Sequence, residues 1–185
     1  MKGFTRTETR FSLCGLHCGL CTMHLGGYCP GCGGGAGNQS CAIAHCSLEH
    51  GGIQFCWECP EYPCSRYESF DDEDSFVSHR NRQQDIVQAR ELGLETCLSR
   101  QAEKRAILDN LLAHYNDGRR KTLFNTAVYL LPLEDLRTIM TTLGSQPELD
   151  KQTVKERALA TVGLLQQAAD RHNISLKLRK KSRKG

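Results

Sequence analysis

Ten of the eleven cysteines fall between Cys14 and Cys64, and they recur at short intervals. Cys14-x3-Cys18-x2-Cys21 comes first, followed by Cys29-x2-Cys32, Cys41-x4-Cys46 and Cys56-x2-Cys59-x4-Cys64. An apolar core does not need that pattern, because packing depends on shape and volume rather than on sulfur at fixed spacing. A soft metal ion does need it, since thiolates two residues apart can turn both sulfurs to one centre. The front third of the chain is therefore expected to be metal-dependent, with these ten cysteines as its ligands.

Spacing leaves the assignment of ligands to ions open. Cys29-x2-Cys32 and Cys56-x2-Cys59 are separated as the two pairs of a zinc ribbon are. Ten thiols fill two four-ligand sites with two to spare, and His17, His24, His45 and His50 lie in the same stretch. Zinc, in two or more ions, is the first expectation. An iron–sulfur cluster is the alternative, because cysteine-rich ligation serves iron as well. The Cys14-x3-Cys18-x2-Cys21 triplet also has the spacing of radical S-adenosylmethionine enzymes. Here, however, Leu20 precedes the third cysteine where those enzymes have an aromatic, and the chain continues as helices rather than as a barrel.

A disulfide framework is the competing use of so many cysteines, and it needs an oxidising compartment. The opening MKGFTRTETR is polar and lacks the apolar run of a secretory signal. No apolar stretch has the length to span a bilayer. The expected setting is the cytoplasm, with thiols reduced and no membrane association. Cys97 stands apart from the cluster and is expected to be a core residue.

The formal charge of +3 conceals an asymmetry. Lys177, Arg179, Lys180, Lys181, Arg183 and Lys184 crowd the last twelve residues, with no acid among them. Removing those six cations from +3 leaves the body at −3. Each divalent ion held by four thiolates adds about −2 more. Phosphate binding asks for a basic face, so nucleic acid is expected to bind weakly, through the tail alone. A zinc protein that binds nucleic acid through that tail is accordingly a second alternative.

Three segments follow from this reading: a cysteine-rich metal-binding module over 1–67, a helical domain over 68–173, and a basic, disordered tail over 174–185. Residues 14–64 hold 11 of the 17 glycines and few large apolar groups. A segment so built is marginal without staples, and a structural zinc site contributes about 10–16 kcal/mol in small peptides. A short strand is expected at 10–13, and the acidic run Asp71-Asp72-Glu73-Asp74 reads as a solvated helix start. Helical spacing then predicts a helix over 76–92 stopped by Gly93. A second is capped by Ser99, carries Ala102, Leu108, Leu111, Leu112 and Tyr115, and ends at Asn116-Asp117-Gly118. A third runs through Leu123 to Leu131, a fourth starts at Pro132 and ends at Gly144, and a fifth is capped by Asp150 with Val154, Ala158, Val162, Leu165 and Ala169 inward. The expected class is mainly α: a small Gly/Cys-rich module with little regular structure, followed by a bundle of four to five helices.

The cysteines and their neighbours also resemble a known pattern. Cys14-Gly15-Leu16-His17-Cys18-Gly19-Leu20-Cys21, Tyr28-Cys29-Pro30-Gly31-Cys32, Cys41-Ala42-Ile43 with Cys46, and Cys56-Trp57-Glu58-Cys59 with Tyr62-Pro63-Cys64 resemble the prokaryotic family named domain of unknown function 3795 (DUF3795). The likeness continues into Tyr115-Asn116-Asp117-Gly118-Arg119-Arg120-Lys121 and Leu130-Leu131-Pro132-Leu133-Glu134-Asp135-Leu136, covering residues 11–143. The resemblance implies a prokaryotic protein with a metal-binding cysteine module, and it implies no reaction.

Arg119 and Lys121 sit on a loop ahead of a helix, where they could bind an anion. No Ser/His/Asp order, phosphate-cradling loop or His-Glu-x-x-His stretch occurs. The function expected is a metal-binding, interaction-type module for a protein or small-molecule ligand rather than an enzyme, with an iron–sulfur redox or catalytic protein as the alternative.

Overall fold

The computed structural model describes residues 2–35 and 41–180, the side chain of Asp150 excepted. The chain is mainly helical, as expected, and no strand forms among the described residues. Two short helices, α1 (Thr22–Leu25) and α2 (Ala42–Glu49), lie in the cysteine-rich stretch. The longer ones follow: α3 (Arg82–Leu92), α4 (Leu94–His114), α5 (Lys121–Leu130), α6 (Leu133–Gly144), the short α7 (Pro147–Asp150) and α8 (Val154–Arg171). The strand expected at 10–13 is reduced to a single bridge between Phe11 and His17. None of the helices among the described residues is long and apolar enough to cross a membrane.

Helix ends account for most departures from the periodic pattern. Gly93 takes φ +83° and stops α3, as its position suggests. α4 resumes at once at Leu94, so Ser99 lies inside a helix and caps nothing. The acidic run does not start a helix either, because α3 begins only at Arg82. Its carboxylates are drawn to guanidinium groups instead: Asp71 pairs with Arg82 at 2.9 Å, and Asp74 with Arg179 at 3.0 Å. The cap of α8 is Thr153, whose Oγ1 accepts from the Glu156 N–H while Glu156 accepts from the Thr153 N–H at 2.9 Å. Asp150 ends α7 three residues earlier.

The chain divides into two compact units, at a point inside α4. The first takes in the described residues up to Gln101 and also Arg179 and Lys180. It includes α3 and the first turns of α4 as well as the cysteine-rich stretch. Two apolar clusters organise it. Phe4, Leu13, Ile43, Ala44, Tyr67 and Ile86 pack with Cys14 and Cys56 in one, and Phe11, Phe55, Ala89, Cys97 and Leu98 form the other. Cys97 is thus a core residue. The stretch poor in apolar side chains completes its packing with Ile86, Ala89 and Leu98 from the helices that follow it.

The second unit, Ala102–Leu178, is built from helices alone. α5 is buried continuously from Phe124 to Leu130, and its last carbonyls are satisfied from outside the helix. Lys104 Nζ donates to the carbonyls of Tyr129 at 3.2 Å and Leu131 at 2.7 Å. α6 turns Leu133, Leu136, Ile139 and Leu143 inward, and α8 packs on α5 and α6 through Ala158, Leu165, Ala168 and Ala169. Small residues on α8 let the helix axes approach closely. Asp135 on α6 accepts from Arg171 at 2.9 Å and from His172 at 2.6 Å at the end of α8. Ala102 and Val154, expected inward, are exposed; Val154 lies in the first turn of α8, before its buried face begins at Ala158.

Of the tail, residues 174–180 are described and lack regular structure. Arg179 is held by Asp74, which accepts from both its backbone N–H at 2.8 Å and its guanidinium at 3.0 Å. Lys181, Arg183 and Lys184, for which disorder was expected, lie outside the described residues.

Candidate metal centre

All ten expected ligands belong to the first unit, and all eleven cysteines are free thiols. Local folding prepares several of them. Cys18-Gly19-Leu20-Cys21 and Cys56-Trp57-Glu58-Cys59 each form one tight 3₁₀ turn closed by the second cysteine's N–H on the first one's carbonyl, at 2.9 and 3.0 Å. The second cysteines have nearly the same backbone, −74°/131° at Cys21 and −76°/133° at Cys59. The Cys56 turn is capped by Glu58, whose carboxylate accepts from the N–H groups of Gln54 and Phe55. The knuckle at Cys29–Cys32 is pinned to the N-terminal segment: Cys32 N–H donates to the Thr9 carbonyl at 3.1 Å, and Arg6 N–H to the Gly33 carbonyl at 3.2 Å. Gly33 has φ +81°, and a Cβ there would stand 2.8 Å from Arg6, so glycine is required by conformation and by space alike.

The thiols gather in two groups. Cys18 has Cys32, Cys14, Cys21 and Cys29 as neighbours, and Cys14 in turn faces Cys32 and Cys41. Cys46, Cys56, Cys59 and Cys64 line a separate small cavity of about 20 Å³. Burial pushes up the thiols of Cys14, Cys18 and Cys32, and that of Cys18 is raised further by the sulfurs around it. Burial likewise lifts Cys56 to about 12, against the opposing effect of the Tyr67 hydroxyl. Such thiols keep their protons in an apolar setting and release them only to a nearby positive charge. A bound dication would supply it.

Polar donors stand ready around the sulfurs. Arg6 is buried, and its guanidinium donates to the carbonyls of Phe11 at 2.9 Å and Gln54 at 2.8 Å and reaches the Cys32 sulfur. The Leu13 N–H points at the same sulfur at 3.5 Å, and Ser12 Oγ lies 3.3 Å from Cys14 Sγ. Arg82 is completely buried, stacked over Phe70 at 3.8 Å and Tyr67 at 4.5 Å. Apart from its ion pair with Asp71, its three nitrogens make no hydrogen bond. Its charge bears on Cys14, whose ionisation it favours. Gly15, at φ +95°, makes this approach feasible, since a Cβ there would come within 2.6 Å of the Arg82 carbonyl. These groups were not legible in the sequence. An arginine in a polar leader and another at a helix start carry no local sign that they will be buried.

His17 and His24 have other partners, while His50 Nδ1 also lies 3.6 Å from the Cys46 sulfur. Gln101 donates to His17 Nδ1 at 2.6 Å, which leaves Nε2–H facing Asp85 at 3.4 Å. His24 Nδ1 lies 3.0 Å from the Cys29 carbonyl, and His50 Nδ1 lies 2.8 Å from the Cys46 carbonyl. Arg119 and Lys121, the expected anion ligands, are exposed at the start of α5. In that loop, Asn116 Oδ1 accepts from the N–H groups of Gly118 and Arg120, and Asp117 Oδ1 accepts from that of Arg119. Side chains of the loop itself therefore take up the N–H groups an anion would seek.

As they stand, no three Cys, His, Asp or Glu side chains among the described residues converge closely enough to hold an ion. The backbone arrangement nevertheless fits a soft ion: folded knuckles, grouped sulfurs, a cavity the size of one small sphere, and buried cations beside acidic groups. Closing the thiols on an ion takes rotation about their χ1 bonds. Comparison with known proteins adds nothing: no family model, curated protein or solved structure matches the chain.

Proposed function

We propose that the first unit is a metal-binding module that takes two or more zinc ions through its thiols and serves as a binding surface for a protein or small-molecule ligand. The observation that carries this reading is the gathering of ten thiols in one compact unit, with buried Arg6 and Arg82 beside them. Thiolate centres carry excess negative charge, and a buried guanidinium with unspent donors offsets it. The ion's part is to cross-link, fixing loops that have little regular structure of their own. Free thiols suit a reducing compartment such as the cytoplasm. The likeness to domain of unknown function 3795 belongs to the same proposal.

Iron is the second reading, favoured by the N–H donors aimed at Cys32 Sγ, since hydrogen bonds to sulfur tune iron–sulfur centres. Nucleic acid is the weakest partner, because Arg179 of the basic end is already taken up by Asp74. Elemental analysis of anaerobically purified protein tests the proposal. The expected result is at least two zinc per chain in a colourless sample. Visible absorption that fades in air selects iron, and a chain free of both metals that takes up neither overturns the reading.

A further inference from the structure

Resting on the metal-binding reading, we infer that Cys46, Cys56, Cys59 and Cys64 form a self-contained site for a single divalent ion of the zinc type, independent of the other six thiols. Three observations converge on it. First, these four cysteines line one cavity, and its volume of about 20 Å³ is that of a single small sphere, just above the least space that one water needs. None of the other six lines it. Four thiolates are the full complement of a closed tetrahedral site, so no ligand has to be borrowed.

Second, the four come from separate backbone segments that meet at this cavity. Cys46 lies in the last turn of α2, Cys56 and Cys59 flank the capped 3₁₀ turn, and Cys64 precedes the turn at Ser65–Tyr67. The Cys56 turn has the backbone form of the Cys18 turn, and each lies in a different thiol group. Each group thus holds one knuckle of this 3₁₀ form. Cys14 lies between the groups: it shares an apolar cluster with Cys56 and is within electrostatic reach of Cys56 as well as of Cys18, Cys32 and Cys41, but it does not line the cavity.

Third, the cavity already has donors for sulfur. The Tyr67 hydroxyl is buried, and the Cys56 thiol is the group it meets. The Arg66 guanidinium meets the Cys46 sulfur. Both belong to the 3₁₀ turn that follows Cys64, so the segment that supplies the last ligand also supplies the outer hydrogen bonds. A tetrathiolate site carries surplus negative charge on its sulfurs, and an N–H or O–H donor directed at them stabilises the loaded state. Binding releases thiol protons to solvent and forms four metal–sulfur bonds, with no change of oxidation state.

The test uses the full chain loaded with Zn²⁺. Chelator is added in steps, the thiols freed at each step are alkylated with N-ethylmaleimide, and the labelled positions are mapped by mass spectrometry. Cys46, Cys56, Cys59 and Cys64 are expected to become reactive together, as one set separate from Cys18, Cys21, Cys29 and Cys32. Labelling that joins Cys59 or Cys64 to Cys18 or Cys29 overturns the partition. As a second measurement, Cys59→Ser and Cys64→Ser are each expected to bind one equivalent of Co²⁺ fewer than the parent, with the remaining thiolate-to-cobalt absorption intact. Undiminished cobalt in both variants also overturns it. A parent chain that takes up neither Zn²⁺ nor Co²⁺ refutes the metal reading itself, which separates that failure from a wrong partition.

Discussion

The two compact units of this chain reach a folded state by different means. Residues 102–178 fold as helices whose apolar stripes meet: Phe124, Leu131, Leu133, Leu136 and Leu165 are among the most deeply buried side chains of the protein. The unit up to Gln101 devotes much of its chain to turns and irregular segments, and its interior holds two arginines and three buried thiols. In the helical unit, backbone polar groups are satisfied locally and the core needs only to be apolar. In the cysteine-rich unit they are satisfied one at a time, by Arg6 on the Phe11 and Gln54 carbonyls or Glu58 on the Gln54 and Phe55 N–H groups. Such a framework is specific but has little energy in reserve, and that is where an added cross-link matters most.

This contrast can be tested by substitution, with the largest expected effect in the helical unit. Leu136→Ala removes a fully buried side chain from α6 and should destabilise that unit by about 2–5 kcal/mol. Denaturant melts followed by circular dichroism would measure it, while thiol accessibility in the first unit should not change. A fall in thiol protection of the same size would mean that the two units do not differ as described.

Arg82→Leu probes the other unit. Deleting the buried guanidinium strips the stacking over Phe70 and Tyr67 and leaves Asp71 without its partner. The expected loss is about 3 kcal/mol, and metal affinity should fall with it. Asp71 is partly exposed and can rehydrate, so a hydrophobic core account predicts no loss or a gain. Unfolding measured with and without metal separates the two. At the start of α8, Thr153→Ala removes the hydroxyl that accepts from the Glu156 N–H, while the backbone N–H of residue 153 can still donate to Glu156, and should cost about 1 kcal/mol.

The smallest effect is a pH dependence. Burial raises the Asp74 carboxyl, but hydrogen bonds from Arg179 and the His79 N–H outweigh it and hold it at about 2. A carboxyl lowered in the folded state contributes stability above its unfolded value, and that contribution is lost as pH falls through the folded one. Stability of the first unit should therefore decline between about pH 4 and pH 2, and Asp74→Asn should flatten that slope. An unchanged slope would show that the Arg179 contact contributes nothing.

Much of this was legible in the sequence, in proportion to how local each cause is. α6 announced itself through Pro132 and the inward stripe, of which Leu133, Leu136, Ile139 and Leu143 are buried and Met140 is half-buried. Gly93 was legible as a stop. The start of α3 was not, because Asp74 holds the segment before it by accepting from Ser78 and from the His79 N–H, across four and five residues. Nor could Ser99 be recognised as mid-helix, since a good capping residue is also tolerated within a helix. The knuckles were readable from spacing, which fixes near neighbours only. Which distant thiols share a cavity depends on how Cys46 and Cys64 are carried to Cys56, and no spacing encodes that. Arg6 and Arg82 were invisible for a related reason: their burial depends on aromatic rings and carbonyls supplied from elsewhere in the chain.

The most direct test is limited proteolysis of the chain before and after metal removal by a chelator, with circular dichroism on the same samples. Cys29→Ser should expose the stretch around Cys14–Cys41 as chelation does, while the Cys46–Cys64 stretch stays protected. The account predicts rapid cleavage within residues 14–64 once metal is gone, while the helices of Ala102–Leu178 survive intact. A metal-free first unit that resists protease as well as the loaded one would contradict it.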